Sequence, residues 1–297
     1  MERYPANSAL TLEQLASRSL FEEDPPAELF HYTDFDGVYG ILASRCLWLS
    51  KVSTLNDTSE VKLAIDLFKQ QASEAARGLD MEEARFLEHA AGLLDSVRRT
   101  NICVAGFSED KDQLNQWRSY ANDGRGIALG FDTGILRGAA RKHDVRLLRC
   151  VYEPEAHRRI VGDLVRLLLD AFRGTPPDAD GARKALLDQF SSTFLLTAPV
   201  IKDHHFAQEK EWRLVSMPRS VDDPQLTAVL YGNHASVKLV LPLIPEGDPA
   251  SGVISSVTIG PTLDPDNVAD AVDVLARHKG FRISTVRLSR VPYRPRT

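Results

Sequence analysis

Four apolar runs of strand length crowd the C-terminal third of the chain, at residues 210–217, 226–231, 237–241 and 253–259. The connections between them are shorter than the roughly dozen residues that a parallel crossover needs. Strands joined so closely run antiparallel, so the chain is constrained to a largely antiparallel sheet. Further strands are expected at 28–33, 47–50, 102–107, 127–131, 145–152 and 282–288. Helical spacing marks about 59–77, 80–99, 112–121 and 266–279, and 153–204 with a break at Gly174-Thr-Pro-Pro-Asp-Ala-Asp-Gly181. The fold class that follows is α+β, with helical insertions at about 57–99 and 153–204 of a single domain spanning 28–297. Residues 1–27 read as a helical extension, opened by the capping box Thr11-Leu-Glu-Gln14 and closed before Pro25-Pro26.

A net charge of −5 and a pI near 5.9 argue against the broad basic face that drives non-specific nucleic-acid binding. Cys46, Cys103 and Cys150 are odd in number and each set among apolar residues, which reads as buried free thiols. No apolar run approaches the roughly 20 residues of a membrane span, and Met1-Glu-Arg-Tyr-Pro lacks the order of a secretion signal. A cytoplasmic protein with no membrane partner is expected.

Glu28-Leu-Phe-His-Tyr-Thr33 is a strand running into a helix capped by Asp34. Alternation puts Leu29, His31 and Thr33 on one face and Phe30 and Tyr32 on the other. His31 and Thr33 can hydrogen-bond a polar ligand; equally, His31 can be a satisfied histidine bracing the next loop. Farther on, Glu209-Lys-Glu-Trp-Arg213 places Glu209, Glu211 and Arg213 on one strand face. That face is either a charged wall that steadies developing positive charge or a solvated face with a same-strand ion pair. Asn56-Asp57 with Ser59-Glu60 reads as a loop over a ligand or as an Asx turn and helix cap. Ser108 with Trp117 and Tyr120 can frame a flat ring, although aromatic residues three apart on a helix are commonly core.

There is no Gly-x-Gly-x-x-Gly, phosphate-loop or nucleophile-elbow pattern. His204-His205 lacks the spacing of a helical zinc pair, and Glu109, Asp110 and Asp112 read as a helix start rather than a magnesium site. No metal is expected.

The chain resembles the bacterial domain of unknown function 2971 family. The residues that carry the resemblance are His31-Tyr-Thr, Leu47-Trp-Leu-Ser50, Asn56-Asp57 with Glu60, Phe107-Ser108-Glu109, and Trp117 with Tyr120-Ala121. It continues through Gly126-Ile-Ala-Leu-Gly-Phe131, Tyr152, Phe206 with Glu209-Lys-Glu-Trp-Arg213, and Ile259-Gly-Pro261. Gly106 stands where a cysteine is common, and the proline expected soon after Asp57 is missing. The opening His-Tyr-Thr, helix and short strand also resemble the start of ADP-ribosyltransferase-type domains, including DNA-modifying toxins.

That second resemblance implies a split sheet of ADP-ribosyltransferase type and NAD as substrate. It implies Glu211 as catalytic carboxylate, supported by Glu209, with His31, Tyr32 and Thr33 at the NAD anchor. Ser108, Trp117, Tyr120, Arg213 and Asn56 would line the rest of the site. The products would be nicotinamide and ADP-ribose carried to a protein or nucleic-acid acceptor, in a toxin or anti-phage defence setting that leaves room for an antitoxin partner. Two other readings stay open: a non-catalytic nucleotide sensor, and a metal-dependent nuclease or hydrolase built on Asp57, Glu60 and Glu211.

Overall fold

The computed structural model describes residues 24–54, 59–95, 100–176, 180–231, 234–244, 252–261 and 264–293. The expected N-terminal helix and the Asn56-Asp57 pair lie outside the described residues. In chain order the first elements are β1 (Glu28–Thr33), α1 (Phe35–Ser44), β2 (Cys46–Lys51), α2 (Ser59–Ala76), α3 (Met81–Leu93) and β3 (Cys103–Ser108). Next come α4 (Leu114–Tyr120), β4 (Ile127–Asp132), α5 (Thr133–Arg141), β5 (Val145–Arg149), α6 (Pro154–Arg173) and α7 (Asp180–Thr197). The last are β6 (Glu211–Ser216), β7 (Leu226–Tyr231), β8 (His234–Pro242), β9 (Ile254–Ile259), α8 (Pro265–His278) and β10 (Thr285–Leu288).

The chain divides into two compact units. One, the sheet unit, takes residues 24–55, 101–150 and 205–297; the other, the helical unit, takes residues 56–100 and 151–204. In the sheet unit the strands run β10-β9-β4-β1-β3-β2-β8-β7, with β6 and β5 branching from β3. Among the named strands only β9 and β10 pair in parallel; every other strand pairing in the sheet is antiparallel, and of the close-set late strands β7 and β8 are the pair that are neighbours.

The branch at β3 shapes everything around it. β6 lies along β3 from Val104 to Ser108 and so fills one edge of that strand. β2 meets β3 at Cys103 and Val104, while β1 meets it at Ser108 alone. Because a strand has only two edges, β1 and β2 share the remaining one and diverge from it. The sheet therefore forks, with Ala105, Gly106 and Phe107 at the crotch.

One sheet face carries the main core. Leu29, Phe107, Phe131, Trp212, Leu214, Leu239 and Leu241 are buried there with Val38, Ile41 and Leu42 of α1, Leu136 of α5 and Val272 of α8. Helix α1 starts where Asp34 accepts from the Gly37 amide at 2.8 Å, and Arg45 at φ 58 ends it. Helix α5 has no counterpart in the sequence reading; Asp132 ends β4 and caps it, accepting from Ile135 N at 2.9 Å. One residue serving both elements leaves no loop signal between strand and helix. On the opposite face Phe30, Tyr32 and Ala128 pack against Trp117 of α4 and Ala121 just past its end.

In the helical unit α6 buries His157, Ile160, Val161, Leu164, Val165, Leu168, Leu169 and Phe172, the three-and-four spacing of a one-sided stripe. Phe86 of α3 stacks on Phe172 with centroids 4.2 Å apart, and Phe68 of α2 meets Phe190 and Phe194 of α7. None of the three cysteines is in a disulfide; Cys103 and Cys150 are buried and Cys46 is half-buried. Among the described residues no helix is long and apolar enough to cross a membrane.

Candidate functional site

The crotch of the fork is built around Gly106. A Cβ placed on this residue would lie 2.5 Å from Glu211 Oε1, so the absence of a side chain is what lets that carboxylate lie against β3. Register explains the approach: Ser108 is directly opposite Glu211, and Gly106 is opposite Arg213. These four residues therefore project from, or lie beneath, the same sheet face.

Glu211 is gripped along its own strand. Arg213 Nε donates to Oε1 at 2.7 Å and Nη2 to Oε2 at 2.9 Å, a bidentate fork. The two side chains are only 12% and 7% exposed, so this pair sits largely out of water. A solvated surface ion pair, one of the two sequence readings of this strand, does not describe it. The strand enters through Lys210 in the left-handed region, φ 44, with its ammonium 3.2 Å from Asp110. The alternate residue Trp212 points the other way and donates Nε1–H to Glu109 at 2.9 Å.

His31 reaches the same glycine from the other side. Its Nδ1 is 2.8 Å from the Gly106 carbonyl, and since a carbonyl can only accept, Nδ1 carries the proton. That bond satisfies a carbonyl on the stretch of β3 edge where β1 and β2 have parted. The ring is tilted against Phe107 at 5.5 Å. Burial lowers its pKa, with the bond to Gly106 a smaller opposing effect. The ring is thus neutral near pH 7 and Nε2 is an acceptor.

Pairing of Phe30 with Ser108 and of Ser108 with Glu211 sets the faces. Phe30, Ser108 and Glu211 share one; His31, Phe107 and Trp212 leave by the other. The resemblance assigns His31 and Glu211 to one NAD site; the pairing places their side chains on opposite faces of the sheet, with Gly106 between them.

The remaining candidates are placed as follows. Ser108 is 1% exposed; its hydroxyl donates to the Glu209 carbonyl at 2.8 Å and accepts from Asp110 N at 3.1 Å. Both duties are to backbone, so its part is to tie the end of β3 to the segment that leads into β6. Tyr32 OH donates to the Asp110 carbonyl at 2.6 Å and accepts from Gln113 N at 3.1 Å. Burial raises its pKa well above the ordinary phenol value.

Trp117 is fully buried, edge-on to Tyr32 at 4.8 Å, and donates to Asp112 at 2.7 Å. It is core, and frames no open ring site. Tyr120, on the same helix, is 49% exposed. Thr33 is half-buried at the end of β1, and Glu209 sits half-buried in the turn of 3-10 helix before Lys210. Asp112, read as a helix start, also accepts from Ser289 Oγ at 2.6 Å and Arg290 N at 2.7 Å, tying down the C-terminal segment.

Residues 116–214 match the family model of a protein of unknown function, DUF2971. The match supports the DUF2971 resemblance over about a third of the chain. No curated protein and no solved structure matches the chain. The DUF2971 stretch includes Trp117, Glu209, Glu211 and Arg213, while His31, Gly106 and Ser108 precede it. Gly106 is the site residue that sequence reasoning passed over. Its signal was a lone glycine inside an apolar strand run, which marks a close approach by a neighbour without saying which.

Proposed function

We propose that the forked sheet is an NAD site of ADP-ribosyltransferase type and that Glu211 is its catalytic carboxylate. The observation that supports this is the Glu211 carboxylate, clamped bidentate by buried Arg213 and seated on Gly106 where the sheet divides. An ionised carboxylate is an acceptor for a ribose hydroxyl. Fixed in a largely water-excluded position, it favours a cation forming on that ribose.

Breaking the bond between nicotinamide and ribose leaves the electron pair on nicotinamide and positive charge on the ribose, as in glycoside cleavage. A lone pair of the acceptor, or of water, then closes on the ribose carbon, and the acceptor gives up its proton. His31 acts as a positioning residue: its Nδ1–H holds the Gly106 carbonyl and with it the strand under Glu211.

Incubation with NAD tests this. Nicotinamide release by the wild type, reduced at least about a hundredfold in Glu211→Gln under conditions where circular dichroism shows the variant folded, is the expected result. Equal release by the two proteins, or none by the wild type with any protein or nucleic-acid acceptor tried, overturns it. A second reading, a nucleotide-binding module without turnover, is favoured by one observation: the hydroxyls of Ser108 and Tyr32 are both committed to internal bonds.

A further inference from the structure

Trp48 is 45% exposed in the middle of β2, a strand whose neighbours Leu47 and Leu49 are almost completely buried. It stands opposite Val240 of β8, and Ser50 stands opposite Lys238. Two residues along a strand share a face, so Trp48, Ser50 and Lys238 form one outward patch. The link from Ser50 to Val104 and from Val104 to Val215 carries that face across β3 to β6, where it is the face of Arg213 and Glu211.

Lys238 is unusual among the cations of the sheet unit. It is half-buried, its Nζ donates to the neutral Ser50 hydroxyl at 2.6 Å, and no carboxylate among the described residues pairs with it. Burial lowers its pKa, outweighing a small opposing influence of Cys103. A cation partly stripped of water and left with a neutral partner is suited to an anion brought by a ligand. Beside it, on the diagonal of the same strand pair at about 7–8 Å, is an exposed indole, the strongest stacking surface a side chain offers to a flat ring.

We infer that this patch seats an adenine nucleotide, the ring stacked on Trp48 and the phosphate on the Lys238 ammonium with the Ser50 hydroxyl beside it. The inference deepens the NAD reading, on which it rests for the choice of base. It assigns the adenylate half of the dinucleotide to the β2–β8 wing of the fork, and the ribose that reacts to Glu211.

Tryptophan emission reports this directly. Of the three tryptophans, Trp117 and Trp212 are 0% and 3% exposed, so quenching by a stacked base comes from Trp48. Titration with AMP is expected to quench and blue-shift wild-type emission, and calorimetry to show AMP binding weakened about tenfold in Trp48→Leu. In Lys238→Gln the preference for AMP over adenosine is expected to vanish while adenosine binding is kept. AMP that leaves wild-type emission unchanged at millimolar concentration, or binds Trp48→Leu and Lys238→Gln with wild-type affinity, overturns the inference. AMP binding in a protein that never cleaves NAD removes the catalytic reading and leaves this site standing.

Discussion

The carboxylate of Glu211 fills the space that a side chain at position 106 would need, 2.5 Å separating its Oε1 from a Cβ built on Gly106. The two residues are more than a hundred positions apart in sequence, and the carbonyl of the same glycine accepts from His31. Gly106 thus couples the strand that bears the carboxylate to the strand that bears the imidazole.

Gly106→Ala tests the coupling. The backbone tolerates alanine, since Gly106 is not among the residues at positive φ. The added methyl must push Glu211 off its seat, and overpacking of this kind costs about 1–3 kcal/mol. Urea denaturation should show a midpoint shift of that size, and any NAD cleavage should fall with it.

Arg213 holds a carboxylate that is 12% exposed. Arg213→Met leaves Glu211 buried without its cation, an arrangement that costs about 3–5 kcal/mol. The double variant Arg213→Met with Glu211→Gln should regain much of the loss, because no charge is then left stranded. Denaturation of the single and double variants closes the cycle.

His31 should make stability pH-dependent. Its folded pKa lies below the ordinary 6.5, with burial the leading cause. The unfolded chain therefore binds a proton that the folded chain refuses as pH falls below 6.5. Stability from this group is fully present above that pH and declines below it, by no more than about 1.4 kcal/mol per pH unit. His31→Asn keeps a donor for the Gly106 carbonyl without the titration. Urea midpoints at pH 7.5, 6.5 and 5.5 should fall more steeply for the wild type than for the variant.

Asp112 accepts from Trp117, Ser289 and the Arg290 amide. Asp112→Ala removes all three bonds and leaves the Trp117 N–H buried without a partner, worth about 1–3 kcal/mol for that group alone. Amide exchange around Ser289–Val291 should accelerate well before the central strands of the sheet do, since the segment has lost its tie to the α4 loop.

Much of the fold was legible from local pattern. Asp34 before an amphipathic run predicts α1, and the alternation in Glu28–Thr33 gives the two faces that β1 presents. Close spacing of the late strands predicts antiparallel neighbours, which β7 and β8 are, whereas β6 and β9 take distant antiparallel partners in β3, β5 and β4 that spacing does not indicate. Helix α5 was not legible, because Asp132 closes a strand and caps a helix at once.

The candidate site was read only in fragments. Its residues were singled out one by one because charge and polarity inside apolar strands are visible in sequence. Their relation was not: alternation assigns His31 and Glu211 a face within their own strands, and only pairing through Ser108 shows that the faces are opposite. Trp117 offered an aromatic ring to either core or ligand, and only its burial against Tyr32 decides for core.

What the sequence determined by itself is the set of elements and the side chains each presents, because helix caps and periodicity act within a few residues. What the tertiary structure alone decided is which strands share an edge of β3. Strand pairing is a contest among distant segments, resolved by burial across the whole sheet. From that contest come the fork, the seat of Glu211 on Gly106, and the open indole of Trp48 on the same face.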